Sequence, residues 1–184
     1  STLINALVNQ RRLAIASTTP GRTRAVNFFK VRLSPDPRPE GFAGLASYFV
    51  DLPGYGYAKV PNEMRQQWQP LVESYLEGNP WLRGVMLLID ARRTLGDEEH
   101  QLMAYLRTLA VPYQIVLTKC DKMSGNEWSA KRRAIAEELS LPRETRPIPF
   151  SALKKKGMEP CLDRIADMIT LGRPIIDVAA DLAG

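Results

Sequence analysis

A chain of 184 residues, 45% hydrophobic and 24% charged, has the composition of a folded domain with its own core and excludes a disordered segment. Its longest apolar run, residues 84–89, is far too short to span a membrane; two cysteines without C-x-x-C spacing, beside one histidine, argue against zinc and for a reducing cytoplasm. The net charge is +5, and Arg11, Arg12, Arg22, Arg24, Lys30 and Arg32 all precede the first acid, Asp36, a distribution that suits a solvated basic face or contact with phosphate groups.

The opening "STLINALVNQ" reads as a helix already under way, with Leu3, Ile4, Leu7 and Val8 on one face and Asn5, Asn9 and Gln10 opposite. "STTPGRTR" (17–24) is a loop, and 25–33 and 45–52 read as strands joined by a turn-rich connection. Residues 62–78 place Met64, Trp68, Leu71, Val72 and Tyr75 on one helical face, with a kink expected at Pro70. The apolar run at 84–91 is expected to be a strand covered on both faces, followed by a helix capped by Asp97 and running through Leu109. A second buried strand (113–119), a helix (126–140), a short strand (146–152) and a helix (157–171) striped by Met158, Leu162, Ile165 and Ile169 complete the pattern, leaving a tail at 172–184. Strands alternating with helices predict a three-layer α/β domain around a mainly parallel sheet, with ligands bound in the loops at the carboxyl ends of the strands.

Those loops carry chemistry. The strand at 45–52 ends in D-L-P-G, where Asp51 can hold magnesium through a water and Gly54 can approach a terminal phosphate without a side chain in the way. The strand "YQIVLTK" runs into Thr118, Lys119, Cys120 and Asp121. An aspartate there can accept hydrogen bonds from both N1–H and the exocyclic amine of guanine, whereas adenine would set a lone pair against the carboxylate. The Lys119 stem can lie along the purine ring. After the last strand, Ser151 and Ala152 offer backbone N–H groups to the guanine carbonyl. In the loop at 17–24 a threonine can coordinate magnesium and close around a triphosphate; Thr23 is the first choice, with Thr18 and Thr19 as alternatives, and Arg22 or Arg24 can touch phosphate.

A threonine loop, D-x-x-G, T-K-x-D and S-A follow one another in the order of a GTPase domain, which starts with a strand and G-x-x-x-x-G-K-[ST]. Ser1 is then expected to be the magnesium-binding serine, with the first strand and the phosphate-loop glycines and lysine upstream of this chain. The stretches "TPGRTRAVNFF", "DLPGYGYAKVP", "DARRTLGDEEHQ", "LTKCDK" and "FSALKKKG" resemble the EngB (YihA/YsxC) family of bacterial GTPases, from Ser1 to about Ile169. The resemblance implies a P-loop GTPase fold with one G domain over 1–171. It implies nucleotide contacts from Gly21, Arg22, Thr23, Arg24 and Ala25, from Asp51, Leu52, Pro53 and Gly54, from Thr118 to Asp121, and from Phe150, Ser151 and Ala152. It implies Mg2+ at Ser1 and Thr23, and at Asp51 through water. It further implies GTP hydrolysis to GDP, slow because Tyr55 replaces the water-orienting glutamine, in a cytoplasmic monomer. The expected task is assembly of the large ribosomal subunit, with rRNA as partner, and normal septation in cell division. The competing expectation is a non-hydrolysing relative that binds RNA or ribosome through the basic face.

Overall fold

The computed structural model describes residues 1–10, 13–14, 25–33, 45–53 and 62–170, and the chain divides into two compact units, Ser1–Tyr75 and Leu76–Gly184. In the first unit, helix α1 (Thr2–Leu7) starts at Ser1, and strands β1 (Asn27–Leu33) and β2 (Leu45–Asp51) pair antiparallel in a continuous register from Asn27↔Asp51 to Leu33↔Leu45. That register sets Asp51 at the end of the ladder. Helix α2 (Asn62–Leu76) runs through Pro70, which supplies no N–H to the preceding turn. Val72 is buried on the predicted face of α2.

One expectation for α1 fails. Asn5, assigned above to the polar face, is buried with Leu3. Its amide donates to the Ala14 carbonyl at 2.6 Å and its side-chain oxygen accepts from the Ala14 N–H at 2.7 Å. A buried stretch of backbone outside regular structure needs partners for both its groups, and Asn5 supplies both.

The second unit is built on a parallel sheet ordered β3-β4-β5, from β3 (Val85–Asp90), β4 (Tyr113–Thr118) and β5 (Ile148–Pro149). Five consecutive residues of β4 are buried, as a central parallel strand requires. The register pairs Asp90 with Thr118, which brings the ends of β3 and β4 level. Strand β5 is shorter than the predicted 146–152, because Pro147 and Pro149 have no N–H for the ladder. The chain nevertheless stays attached beyond it: Phe150 N–H donates to Leu117 O at 2.8 Å and Cys120 N–H to Phe150 O at 3.2 Å.

Helix α3 (Asp97–Thr108) is capped by Gly96 rather than by Asp97, with the buried Glu99 accepting from the Gly96 N–H at 2.9 Å. Helix α4 (Gly125–Glu138) opens with a capping box in which Ser124 and Glu127 each satisfy the other's backbone N–H. Helix α5 (Met158–Thr170) buries Cys161, Ile165 and Met168, a stripe rotated from the expected Met158, Leu162, Ile165 and Ile169. The rotation has a local cause in Gly84, where an added Cβ would lie 2.3 Å from Met168 Sδ. The sulfur packs into space that only glycine leaves open. Ile115, Val116, Leu117, Leu106, Met103 and Ile135 belong to the same core. Among the described residues no helix is long and apolar enough to cross a membrane.

Candidate functional site

In the first unit, the start of α1 meets the end of β2. Ser1 Oγ donates to Asp51 Oδ2, and the Ser1 nitrogen lies 3.1 Å from Asp51 Oδ1. The two residues are 50 positions apart in sequence, yet the sequence reading paired them as ligands of one ion. A hydroxyl and a carboxylate side by side form a hard-oxygen donor set that fits Mg2+. Among the described residues no group of three His, Cys, Asp or Glu side chains can hold a metal, so an ion here would complete its shell with water and phosphate oxygens. Leu52 is half-buried and Pro53 buried directly after Asp51, and Ala25 is exposed just before β1. Gly21, Arg22, Thr23, Arg24 and Gly54, with Thr18, Thr19 and Tyr55, lie outside the described residues.

In the second unit, the carboxyl ends of β4 and β5 bring together the residues of T-K-x-D and F-S-A. Thr118 closes the ladder: its hydroxyl donates to Ile89 O at 3.2 Å and its carbonyl accepts from Ala91 N–H at 2.9 Å. Lys119 then turns the chain with a left-handed backbone (φ 59°) into a short 3-10 turn, Cys120–Lys122. That reversal buries Cys120 and leaves Lys119 and Asp121 on the outer side of the turn. Burial pushes the Cys120 thiol up, so it is a packing group rather than a nucleophile.

Asp121 is oriented from the neighbouring loop. Ser151 Oγ donates to Asp121 Oδ1 at 2.5 Å, and the same hydroxyl accepts from Lys154 N–H at 3.1 Å. The Ser151 hydrogen bond, helped by a backbone N–H and then by the charges of Lys122 and Lys154, holds the Asp121 carboxyl below its ordinary range. An ionised carboxylate fixed in this way keeps acceptor lone pairs for a base edge that carries two N–H donors. Ser151 itself is held by reciprocal backbone bonds with Lys156 at 3.0 and 3.1 Å, and Ala152 is half-buried beside it. Tight closure of this loop depends on Gly157, at φ +75°, where a Cβ would sit 2.2 Å from Pro149 O.

Two residues with no assigned task belong to this cluster. Asp90, at the end of β3, accepts from Arg92 Nε at 2.9 Å, Arg92 Nη2 at 2.6 Å and Arg92 N–H at 3.1 Å. Its Oδ2 also accepts from Lys119 Nζ at 3.1 Å. The Arg92 side chain holds the Asp90 carboxyl well below the usual carboxylate range. The sequence signal was an acid at a third strand end, equivalent in position to Asp51, within "DARR".

The 50S ribosome-binding GTPase family matches residues 1–119 of the chain. The protein named "Probable GTP-binding protein EngB" of Citrifermentans bemidjiense is 42% identical over 170 residues, covering 92% of this chain and 73% of that protein. Its namesake in Geobacter sulfurreducens is 40% identical over 182 residues, covering 98% of this chain and 82% of that protein. A crystal structure of a probable GTP-binding protein EngB superposes with a TM-score of 0.64 at 21% identity, over 92% of this chain and 91% of that one. Era in complex with MgGDPNP and nucleotides 1506-1542 of 16S ribosomal RNA superposes with a TM-score of 0.71 at 21% identity, over 96% of this chain and 54% of that one. With its α/β P-loop GTPase fold and its likeness to these proteins along almost its whole length, the chain belongs to the EngB family of GTP-binding proteins.

Proposed function

We propose that this protein binds GTP through Asp121 and hydrolyses it slowly to GDP, as a switch in assembly of the large ribosomal subunit. The observation that carries the reading is the Asp121 carboxylate, ionised and oriented by Ser151 in the turn that follows a buried parallel strand. Guanine presents N1–H and an amine to such a carboxylate; the stem of Lys119 covers the ring, and Ala152 and Phe150 border the base with backbone groups. Cys120 and Thr118 fix the turn from which Lys119 and Asp121 project.

On the phosphate side, Ser1, Thr23 and Asp51 (through a water) would hold Mg2+, which neutralises phosphate charge when bound. Gly21 to Ala25 and Asp51 to Gly54 would line the phosphates. The adjacency of the Ser1 hydroxyl and the Asp51 carboxylate supports this arrangement. In sequence Tyr55 follows the D-x-x-G glycine, the position of the water-orienting glutamine in other GTPases, and a phenol cannot orient water by the same two-point hydrogen bonding, so intrinsic turnover is slow. The chain through residue 171 acts as one cytoplasmic, monomeric G domain in this reading.

The ribosomal role, and with it normal septation, is supported by the 50S ribosome-binding GTPase family match and by the basic balance of the chain. Era, which shares the fold, is bound to ribosomal RNA in its own complex. Asp121→Asn tests the base assignment. The amide sets a donor against N1–H, so GTP should weaken by roughly a hundredfold while xanthine nucleotides gain. Retention of wild-type GTP preference by this variant in a competition assay would overturn it.

A further inference from the structure

Lys119 has a long stem with four rotatable bonds, and it is more than half exposed. Left free, such a side chain loses rotamer entropy whenever it is fixed against a ligand. Here its ammonium is already tied to Asp90 Oδ2 at 3.1 Å. The carboxylate is in turn clamped by the planar Arg92 fork, which donates one hydrogen bond to each of its oxygens. Arg92 is anchored to the same turn by its own N–H on Asp90 Oδ1. The level register of Asp90 with Thr118 makes the contact possible across 29 residues of sequence.

We propose that Asp90 and Arg92 are positioning residues for nucleotide binding: Arg92 fixes the Asp90 carboxylate, and Asp90 holds Lys119 extended before the base arrives. The proposal rests on the guanine-site reading given above. Because the pair acts through the stem that covers the ring, it affects the base and not the phosphates. GDP and GTP therefore lose affinity together, and so do guanine and xanthine nucleotides, since the Lys119 stem does not read the base edge.

A double-mutant cycle in the whole protein, read by GDP and GTP affinity, separates this role from a merely structural one. Asp90→Ala should weaken both nucleotides by about tenfold. Lys119→Met keeps an unbranched stem but removes the ammonium, and in that background Asp90→Ala should cost nothing further. Arg92→Gln, which leaves the carboxylate in place, should give a smaller loss that also vanishes with Lys119→Met, and it serves if Asp90→Ala does not fold. Equal losses in both backgrounds would overturn the proposal, as would full affinity of Asp90→Ala where Lys119→Ala and Asp121→Asn are impaired. If Lys119→Ala and Asp121→Asn both bind GDP normally, the guanine-site reading itself fails, and the proposal with it.

Discussion

Asp90 gathers three hydrogen bonds from two cationic side chains and a fourth from the Arg92 backbone N–H while remaining only 16% exposed. The Arg92 side chain is the main cause of its lowered pKa, ahead of the opposing cost of burial. The sign of the pH dependence follows. A carboxyl that is harder to protonate in the folded state binds fewer protons than in the unfolded one. Its stabilisation is complete above the ordinary value of 3.8 and is lost as pH falls from there towards the lower folded value. Asp90→Asn should therefore lower stability by a constant amount between about pH 6 and 8, with the difference shrinking below about pH 4. Urea titrations of both proteins across that range check it. Asn5 makes a complementary point at the same scale: a polar residue can be buried at little cost when one side chain satisfies both groups of a distant backbone unit.

At the scale of elements, the loop after β5 is shaped by what glycine leaves out. The segment from Ser151 to Gly157 closes on itself through the Ser151–Lys156 backbone pair, and Gly157 then passes against Pro149 O in a left-handed conformation. Gly157→Ala meets both a forbidden φ and a backbone atom that cannot swing aside. It should cost about 2 kcal/mol or more, lowering the urea midpoint with the slope unchanged, and should weaken guanine nucleotides by displacing Ser151 from Asp121. Just before β3 the same logic holds: Gly84 leaves room for Met168, one of the three residues α5 buries.

For the molecule as a whole, a GTPase switch requires that the triphosphate contact groups that the diphosphate cannot reach. In the proposed function those groups are Thr23 and Gly54, in segments 17–24 and 53–61. Hydrogen exchange in the whole protein should show added protection in both segments with a non-hydrolysable GTP analogue and magnesium, beyond that given by GDP. Protection around Thr118–Asp121 and Ser151, which face the base in that proposal, should be the same with either nucleotide. Equal protection of 17–24 and 53–61 by GDP and the GTP analogue would count against a switch.

Much of this was legible in the sequence because it is locally encoded. Apolar runs and turn residues located every α-helix and β-strand among the described residues to within a few positions, and an acid at a strand end is visible as soon as the strand is. Asp51, Lys119, Asp121 and Ser151 were singled out as candidates by their places after strands, and the family was evident from five short stretches. What the tertiary structure alone decided depends on register and on contacts between distant segments. The antiparallel pairing of β1 with β2, the burial of Asn5 on Ala14 and the inward face of α5 are of this kind. So is the reach of Lys119 to Asp90, which exists because β3 and β4 end level. Periodicity reports which residues can share a face; only packing against a particular neighbour, such as Met168 over Gly84, selects the one that is buried.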